Sequence, residues 1–426
     1  MTWEQDRQRR MRERMERLHP ICRSITGDGV RETLAILAET VALEQWAVPS
    51  GTTVFDWQIP DEWNVRDAYV ADLDGRRVID FRENNLHLVS YSVPVRGRFS
   101  RSELLEHLHT LPDRPDAVPY RTSYYVRDWG FCLRQRDLAA LTDDEYDVVV
   151  DTTLGPGELT YGEFVIPGDS EEEVLISSHV CHPSLVNDNL TGLTVAVELA
   201  AAIAALPRRR FGYRFLFAPG TIGSITWLAT HEEVLPRLRH VLVLTGLGGG
   251  GPLVYKQTRH GDRPIDRIAR HVVGRREGET RAYSPYGYDE RQFNAVGFDL
   301  PAGRLTRTPH GEYPEYHTSD DDLGFVGDDE LEDAFEALWE FVEIFEHDGV
   351  HDNLAPYGEP QLGARGLYPP MGGKSANDEV MAMLWTLGYS NGNTSLLEIA
   401  EVSQMSFADI RRAAEKLTAA GLLAPH

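Results

Sequence analysis

Cysteine is scarce. The 426 residues hold three, Cys22, Cys132 and Cys181, which excludes a disulfide framework. Lysine is as rare, with only Lys256, Lys374 and Lys416; the arginine bias reflects base composition and carries no mechanism. Positive charge as a whole is in deficit, 42 Lys+Arg against 67 Asp+Glu, a formal charge of -25. A surface that negative repels phosphate backbones and anionic lipid, so neither nucleic acid nor membrane is expected as a partner. No run approaches the ~18 apolar residues that a bilayer span requires. The opening MTWEQDRQRRMRERMERLHP is charged throughout and lacks the apolar stretch of a signal peptide. The expectation is a cytoplasmic, acidic protein. What is present is ordinary, 42% hydrophobic and 26% charged residues, in a length that suits two or three domains at ~150 residues each.

Val30, Leu34, Leu37 and Val41 recur at helical spacing. From about 46 to 112 the texture is β-rich: TTVFDWQI, DAYVADL, RVIDF and HLVSYSV are separated by turn residues, with SRSELLEHLHTL returning to helix. The centre has α/β rhythm. EEVLISSH, YRFLFAP and HVLVLTGLGGGG read as apolar strands around the helical LTGLTVAVELAAAIAAL, which predicts a mostly parallel sheet covered on both faces. LEDAFEALWEFVEIF closes this part with Leu331, Phe335, Leu338, Val342 and Phe345 on one stripe. Beyond a Pro/Gly-rich linker at 355–373, DEVMAMLWTLGYSNG, SLLEIAEVS and SFADIRRAAEKLTAAGLL read as a winged-helix-like unit. It lacks the basic stripe of a DNA-recognition helix, so packing or dimerisation is its plainer role.

The densest chemistry is Ser177-Ser178-His179-Val180-Cys181-His182, followed by Asp188-Asn189-Leu190-Thr191-Gly192, at the end of the first central strand. Carboxyl ends of such strands are where ligands bind. Imidazoles and a carboxylate can hold a metal, although the segment also reads as a satisfied turn with Asp188 capping a helix. His317, with Glu315 and Asp320 to Asp322 around it, is a candidate third ligand or part of a solvated acidic loop. The run Asp289-Glu290-Arg291 reads as an ion-pair knot or as site lining.

HVCHPSLVNDNLTGL, APGTIGSITWL, GYDERQFNAVGFDLPAG and RTPHGEYPEYHTSDDDL, in this order, resemble the aminopeptidase-like proteins long filed as a domain of unknown function. That family is often annotated beside polysaccharide or natural-product biosynthesis genes and is similar to zinc-dependent exopeptidases. The resemblance implies an aminopeptidase-like α/β core, residues 1–45 and 113–350, interrupted by a β-rich insert at 46–112 and followed by a winged-helix-like domain at 374–426. It puts His179, Asp188 and His317 at the positions of zinc ligands for one ion, with His182 as a further donor. It also marks two losses. Gly220 stands in the region where the wider peptidases carry a Glu pair, and Thr245 to Gly249 where they carry a metal-binding Asp. The general base must then come from Glu290, the first choice, or from Glu312 or Glu315. Arg291, Arg307 and Tyr316 are the expected substrate-binding residues. A Cys181 nucleophile paired with His182 is disfavoured, because neighbours on an extended segment point to opposite sides. The implied function is a zinc hydrolase of an amide or peptide bond in a small molecule or short peptide, such as a biosynthetic intermediate, with homo-oligomerisation allowed. The alternative is a degenerate peptidase that binds a ligand or partner.

Overall fold

The computed structural model describes residues 3–367 and 374–426, and the chain divides into two units, Met1–Ala337 and Leu338–His426. Helix α1, Trp3–Leu18, is mostly charged but buries Met11, Arg14, Met15 and Leu18. Helix α2, Asp28–Ala38, buries Val30, Leu34 and Leu37 as their spacing predicted. It begins at Gly27, whose φ is +99°; a Cβ there would lie 2.1 Å from the Trp63 carbonyl.

The central sheet has eight strands. In chain order they are β1 Glu44–Pro49, β2 Glu158–Ile166, β3 Glu173–His179, β4 Gly212–Ala218, β5 Leu238–Leu244, β6 Leu253–Lys256, β7 Glu279–Arg281 and β8 Ala302–Arg307. Their spatial order is β1-β2-β4-β3-β5-β8-β6-β7. The middle four, β4-β3-β5-β8, are parallel, and every residue of β3 and β4 is buried. Continuous apolar runs are what such doubly covered strands require. Helix α3, Thr191–Ala204, connects β3 to β4, and α4, Ile222–Thr230, connects β4 to β5. The connection leaving β3 runs to β4 on one side, whereas the chain leaving the adjacent β5 runs toward β6 on the other, so a crevice opens at the carboxyl ends of β3 and β5. Helix α5, Pro264–Gly274, follows β6, and α6, Asp328–His347, carries the buried stripe from Leu331 to Phe345.

The β-rich insert is larger than its expected bounds of 46–112. Its antiparallel sheet runs in the order Arg77–Asp80, Glu62–Ala71, Glu145–Gly155, Val95–Ser100, so a strand from 145–155 sits inside it. Conversely, Glu44–Pro49 pairs with β2 at the edge of the central sheet. Strand pairing is non-local, and alternation along the chain does not name the partner. HLVSYSV forms no regular strand, and SRSELLEHLHTL is helical only over Arg101–Leu105, behind a Ser100–Glu103 capping box.

The terminal unit has helices α7 Lys374–Tyr389, α8 Leu396–Ser403 and α9 Phe407–Ala419, with a three-stranded sheet from Val350–Asn353, Asn391–Ser395 and Leu423–Pro425. This is a winged-helix arrangement, and Ser395 and Ser406 cap the second and third helices. Among the described residues, no helix is long and apolar enough to cross a membrane.

Candidate metal centre

His179 is the last residue of β3, at the crevice. The chain returns to it through the buried turn Val186–Leu190. Asp321 holds that turn: its carboxylate accepts from the backbone N–H of Asn187 (2.6 Å) and of Asp188 (3.0 Å). Burial pushes the Asp321 pKa up to about 8. The amides beside Asp188 reach the glycine cluster after β5. Gly246 N–H donates to Asn189 Oδ1 (3.2 Å) and Gly248 N–H to Asn187 Oδ1 (3.0 Å). A Cβ at Gly248 would fall 2.4 Å from the Val326 side chain. Close backbone packing therefore occupies the region where a further metal-binding Asp was sought.

Asp188 is 1% exposed and its two oxygens face different histidines. Oδ1 lies 2.8 Å from His179 Nε2, and Oδ2 lies 3.1 Å from His317 Nε2 and 4.0 Å from His182 Nε2. Burial alone would raise its pKa, but the surrounding imidazoles outweigh that and hold the carboxyl well below its usual range. Burial pushes His182 down to about 3, which favours its neutral ring, and its Nδ1 lies 3.4 Å from Cys181 Sγ. Two groups of donor atoms each lie within 4.8 Å of one another: His182, Asp188 and His317, and His179, Cys181 and His182. Imidazoles gathered around a buried carboxylate form a donor set suited to zinc. His182, which the sequence reading placed as a further donor, is common to both groups.

Aromatic rings fix these imidazoles. Tyr288 stacks on His179 with centroids 4.8 Å apart, and Tyr316 on His317 at 3.9 Å. The Tyr120 N–H donates to the His317 carbonyl (2.8 Å), and the Tyr120 ring meets both His182 and His317 edge-on. The histidines line the inner part of a cavity of about 320 Å³ whose wall also includes Trp57, Tyr124, Tyr125 and Arg291. A cavity of about 540 Å³ in the terminal unit, lined by Asp352, Leu387 and Asn391 among others, contains neither donor group.

The acids expected as bases lie elsewhere. Glu290 is fully buried in an ion pair with Lys256 Nζ (2.9 Å), with Arg304 at 3.6 Å. Glu312 pairs with Arg281, and Glu315 is directed toward Arg114 at 4.0 Å. None of the three lines the cavity. Arg307 is also away from it, bonded to Asp333 and to the Gly251 carbonyl (2.9 Å). Arg291 lines the cavity, whereas Tyr316 backs His317 and accepts from the Tyr288 hydroxyl (3.3 Å). Contrary to the expectation that they point apart, Cys181 Sγ lies 3.4 Å from His182 Nδ1, but burial drives the thiol far above its ordinary pKa and Sγ also donates to the Gly220 carbonyl (3.7 Å), which disfavours a thiolate nucleophile.

The residue of the Asp289-Glu290-Arg291 run that sequence reasoning did not choose as a base is Asp289. It is 1% exposed; Ser224 Oγ donates to Oδ1 (3.0 Å), and Oδ2 has no hydrogen-bond partner among the described residues. Oδ1 lies 3.5 Å from the point a Cβ on Gly220 would occupy. Burial pushes its pKa up to about 6. The only signal was its place beside Glu290. Successive side chains at the head of a helical turn diverge by about 100°, so one acid enters the ion pair and the other faces Gly220.

A family model described as a domain of unknown function, DUF4910, matches residues 12–348, and a winged helix-turn-helix model matches 349–425. A Clostridium acetobutylicum protein named for polysaccharide biosynthesis and an aminopeptidase-like domain is 46% identical, over 96% of this chain and 94% of its own length. A crystal structure from the same organism, of a chain named as a candidate peptidase, superposes with a TM-score of 0.93 at 43% identity, covering 100% of this chain and 98% of that one. The zinc aminopeptidase BSAP of Bacillus subtilis gives a TM-score of 0.55 at 15% identity, with coverage of 79% and 95%. At that identity the likeness establishes the aminopeptidase-like fold of the α/β unit.

Proposed function

Because the chain belongs to the DUF4910 family and carries an aminopeptidase-like fold, we propose that it is a zinc-dependent hydrolase cutting an amide or peptide bond in a small substrate. The observation that carries this reading is Asp188, a buried carboxylate whose two oxygens face His179, at the end of β3, and His317. His182, Asp188 and His317, with His179 alongside, would hold the ion; when bound, zinc activates water and polarises a carbonyl. The chain's own residues orient and exclude. Asp188 fixes the two imidazoles, Tyr288 and Tyr316 hold their ring planes, and the aromatic wall keeps bulk water from the bond to be cut. Glu290 is committed to Lys256. Asp289 does not itself line the cavity, but its Oδ1 lies 3.5 Å from where a Cβ on the cavity-wall residue Gly220 would stand and its Oδ2 has no partner among the described residues, and to it we assign the holding of a proton during hydrolysis.

Zinc-loaded protein is expected to hydrolyse members of a panel of N-acyl amino acids and dipeptides, and to lose that turnover on chelation. Asp289→Asn should lower kcat by about a hundredfold, the scale of a lost general base. A folded, zinc-loaded chain inert across the panel would favour the second reading, a degenerate peptidase that binds ligand. That reading draws on the missing carboxylates at Gly220 and Gly246 to Gly249, and it predicts ligand binding with no turnover of that ligand, whether or not zinc is loaded.

For the terminal unit we propose packing rather than DNA reading. Support comes from α9, where Arg411 faces Glu343 (3.7 Å), Arg412 pairs with Asp409 and Lys416 pairs with Glu379. A recognition helix whose cations are already matched by acids of its own unit has little to offer phosphates. Duplex DNA is expected to run unshifted with the protein in a low-salt gel; a salt-sensitive shift would reverse this assignment.

A further inference from the structure

The charge balance of the cavity wall is the opposite of that of the chain. No Asp or Glu lines the cavity, whereas Arg291 does. Among the described residues Arg291 forms no ion pair, and its Nε is buried without a partner. The neighbouring cations differ in their charge pairing, since Lys256 and Arg304 both lie against Glu290, although Arg304 Nε is likewise without a partner. With Asp289 and Glu290 as the only acids of this segment, three cations meet two carboxylates at most. A half-buried guanidinium in a pocket wall gains most from a carboxylate or phosphate, which its planar fork grips through two hydrogen bonds. The same wall offers nothing to a free ammonium group, and a bound dication would repel one further.

We propose that Arg291 is the anion-binding residue of this site, and that the substrate is an acidic, amine-blocked molecule carrying a carboxylate or phosphate. Its flat or apolar portion rests against the outer aromatic side chains Trp57 and Tyr125, whose rings are 5.7 Å apart and partly exposed. This deepens the hydrolase reading and rests on the cavity being the substrate site. It departs from recognition of a free amino terminus, for which a cavity carboxylate would be required.

The test measures binding by calorimetry on metal-stripped protein, so that a metal-bound anion cannot imitate the result. The probes are N-acetyl-L-tyrosine, N-acetyl-L-tyrosinamide, L-tyrosinamide and phenyl phosphate. At least one anionic probe is expected to bind about tenfold or more tightly than the neutral amide, the scale of a charge-assisted bidentate pair. The cationic L-tyrosinamide should bind weakest. A preference for N-acetyl-L-tyrosine assigns a carboxylate source, and a preference for phenyl phosphate a phosphate source. Arg291→Gln should erase the anion preference while the neutral amide binds as before, and Arg291→Lys should retain part of it. Equal or tighter binding of L-tyrosinamide, a preference that survives Arg291→Gln, or no binding of either anion at millimolar concentration would overturn the proposal. An intact anion preference without turnover would sink the hydrolase reading alone, and turnover without anion preference this inference alone.

Discussion

Asp188→Ala is expected to remove zinc from the protein while leaving it folded. Metal content by plasma mass spectrometry, on protein purified without a histidine tag, should fall from about one ion per chain to a trace. The reason is that Asp188 is the only carboxylate in either group of clustered donors. Loss of a mere supporting partner costs a site about 10–100-fold in affinity, and loss of a direct anionic ligand should cost more. Folding should survive because the partners left behind are imidazoles, which can stay neutral, as His182 already does. Melting curves of the metal-free wild type and variant should then nearly coincide. Wild-type stoichiometry in the folded variant would remove the metal centre from its assigned place. His182→Ala and His179→Ala refine the ligand set: a larger loss in the first assigns the ion to the His182, Asp188 and His317 group, a larger loss in the second to the set expected from the sequence.

The largest structural effect is expected at Glu198, far from any chemistry. This carboxylate on α3 is 4% exposed and accepts from Arg10 Nη2 (2.7 Å) and Arg14 Nη2 (2.9 Å), both on α1. Arg14 is itself buried and also donates to Thr194 Oγ1 (2.8 Å). Removing one partner of a buried pair leaves an uncompensated charge, which costs about 3–5 kcal/mol. Glu198→Ala should lose that amount in urea denaturation, with α1 the first segment to lose amide-exchange protection. The double variant Glu198→Ala with Arg14→Met should recover most of the loss, because a well-packed apolar pair does not carry the burial penalty of a lone charge. A single-variant loss below about 1 kcal/mol, typical of an exposed pair, would show that solvent already screens this contact.

The sequence by itself determined the class of the fold. Apolar runs such as EVLISSH and YRFLFA have one stable use, as strands covered on both faces, and the amphipathic stripes of α2 and α6 have one buried side each. It also offered His179, Asp188 and His317 as candidate ligands, through the family resemblance that their local, ordered motifs carry. What only the tertiary structure decided is which side chains share space. The insert captured the strand at 145–155, since hydrogen bonding across a sheet pairs residues distant in sequence. Glu290 and Asp289 are neighbours in the chain, yet one is neutralised by Lys256 from β6 and the other stands beside Gly220 from the end of β4. Arg291 and Arg307 carry the same guanidinium, but Asp333 neutralises one and the cavity leaves the other unpaired. A residue's type is written in the chain, whereas its charge state and reach depend on burial and on partners that only folding supplies.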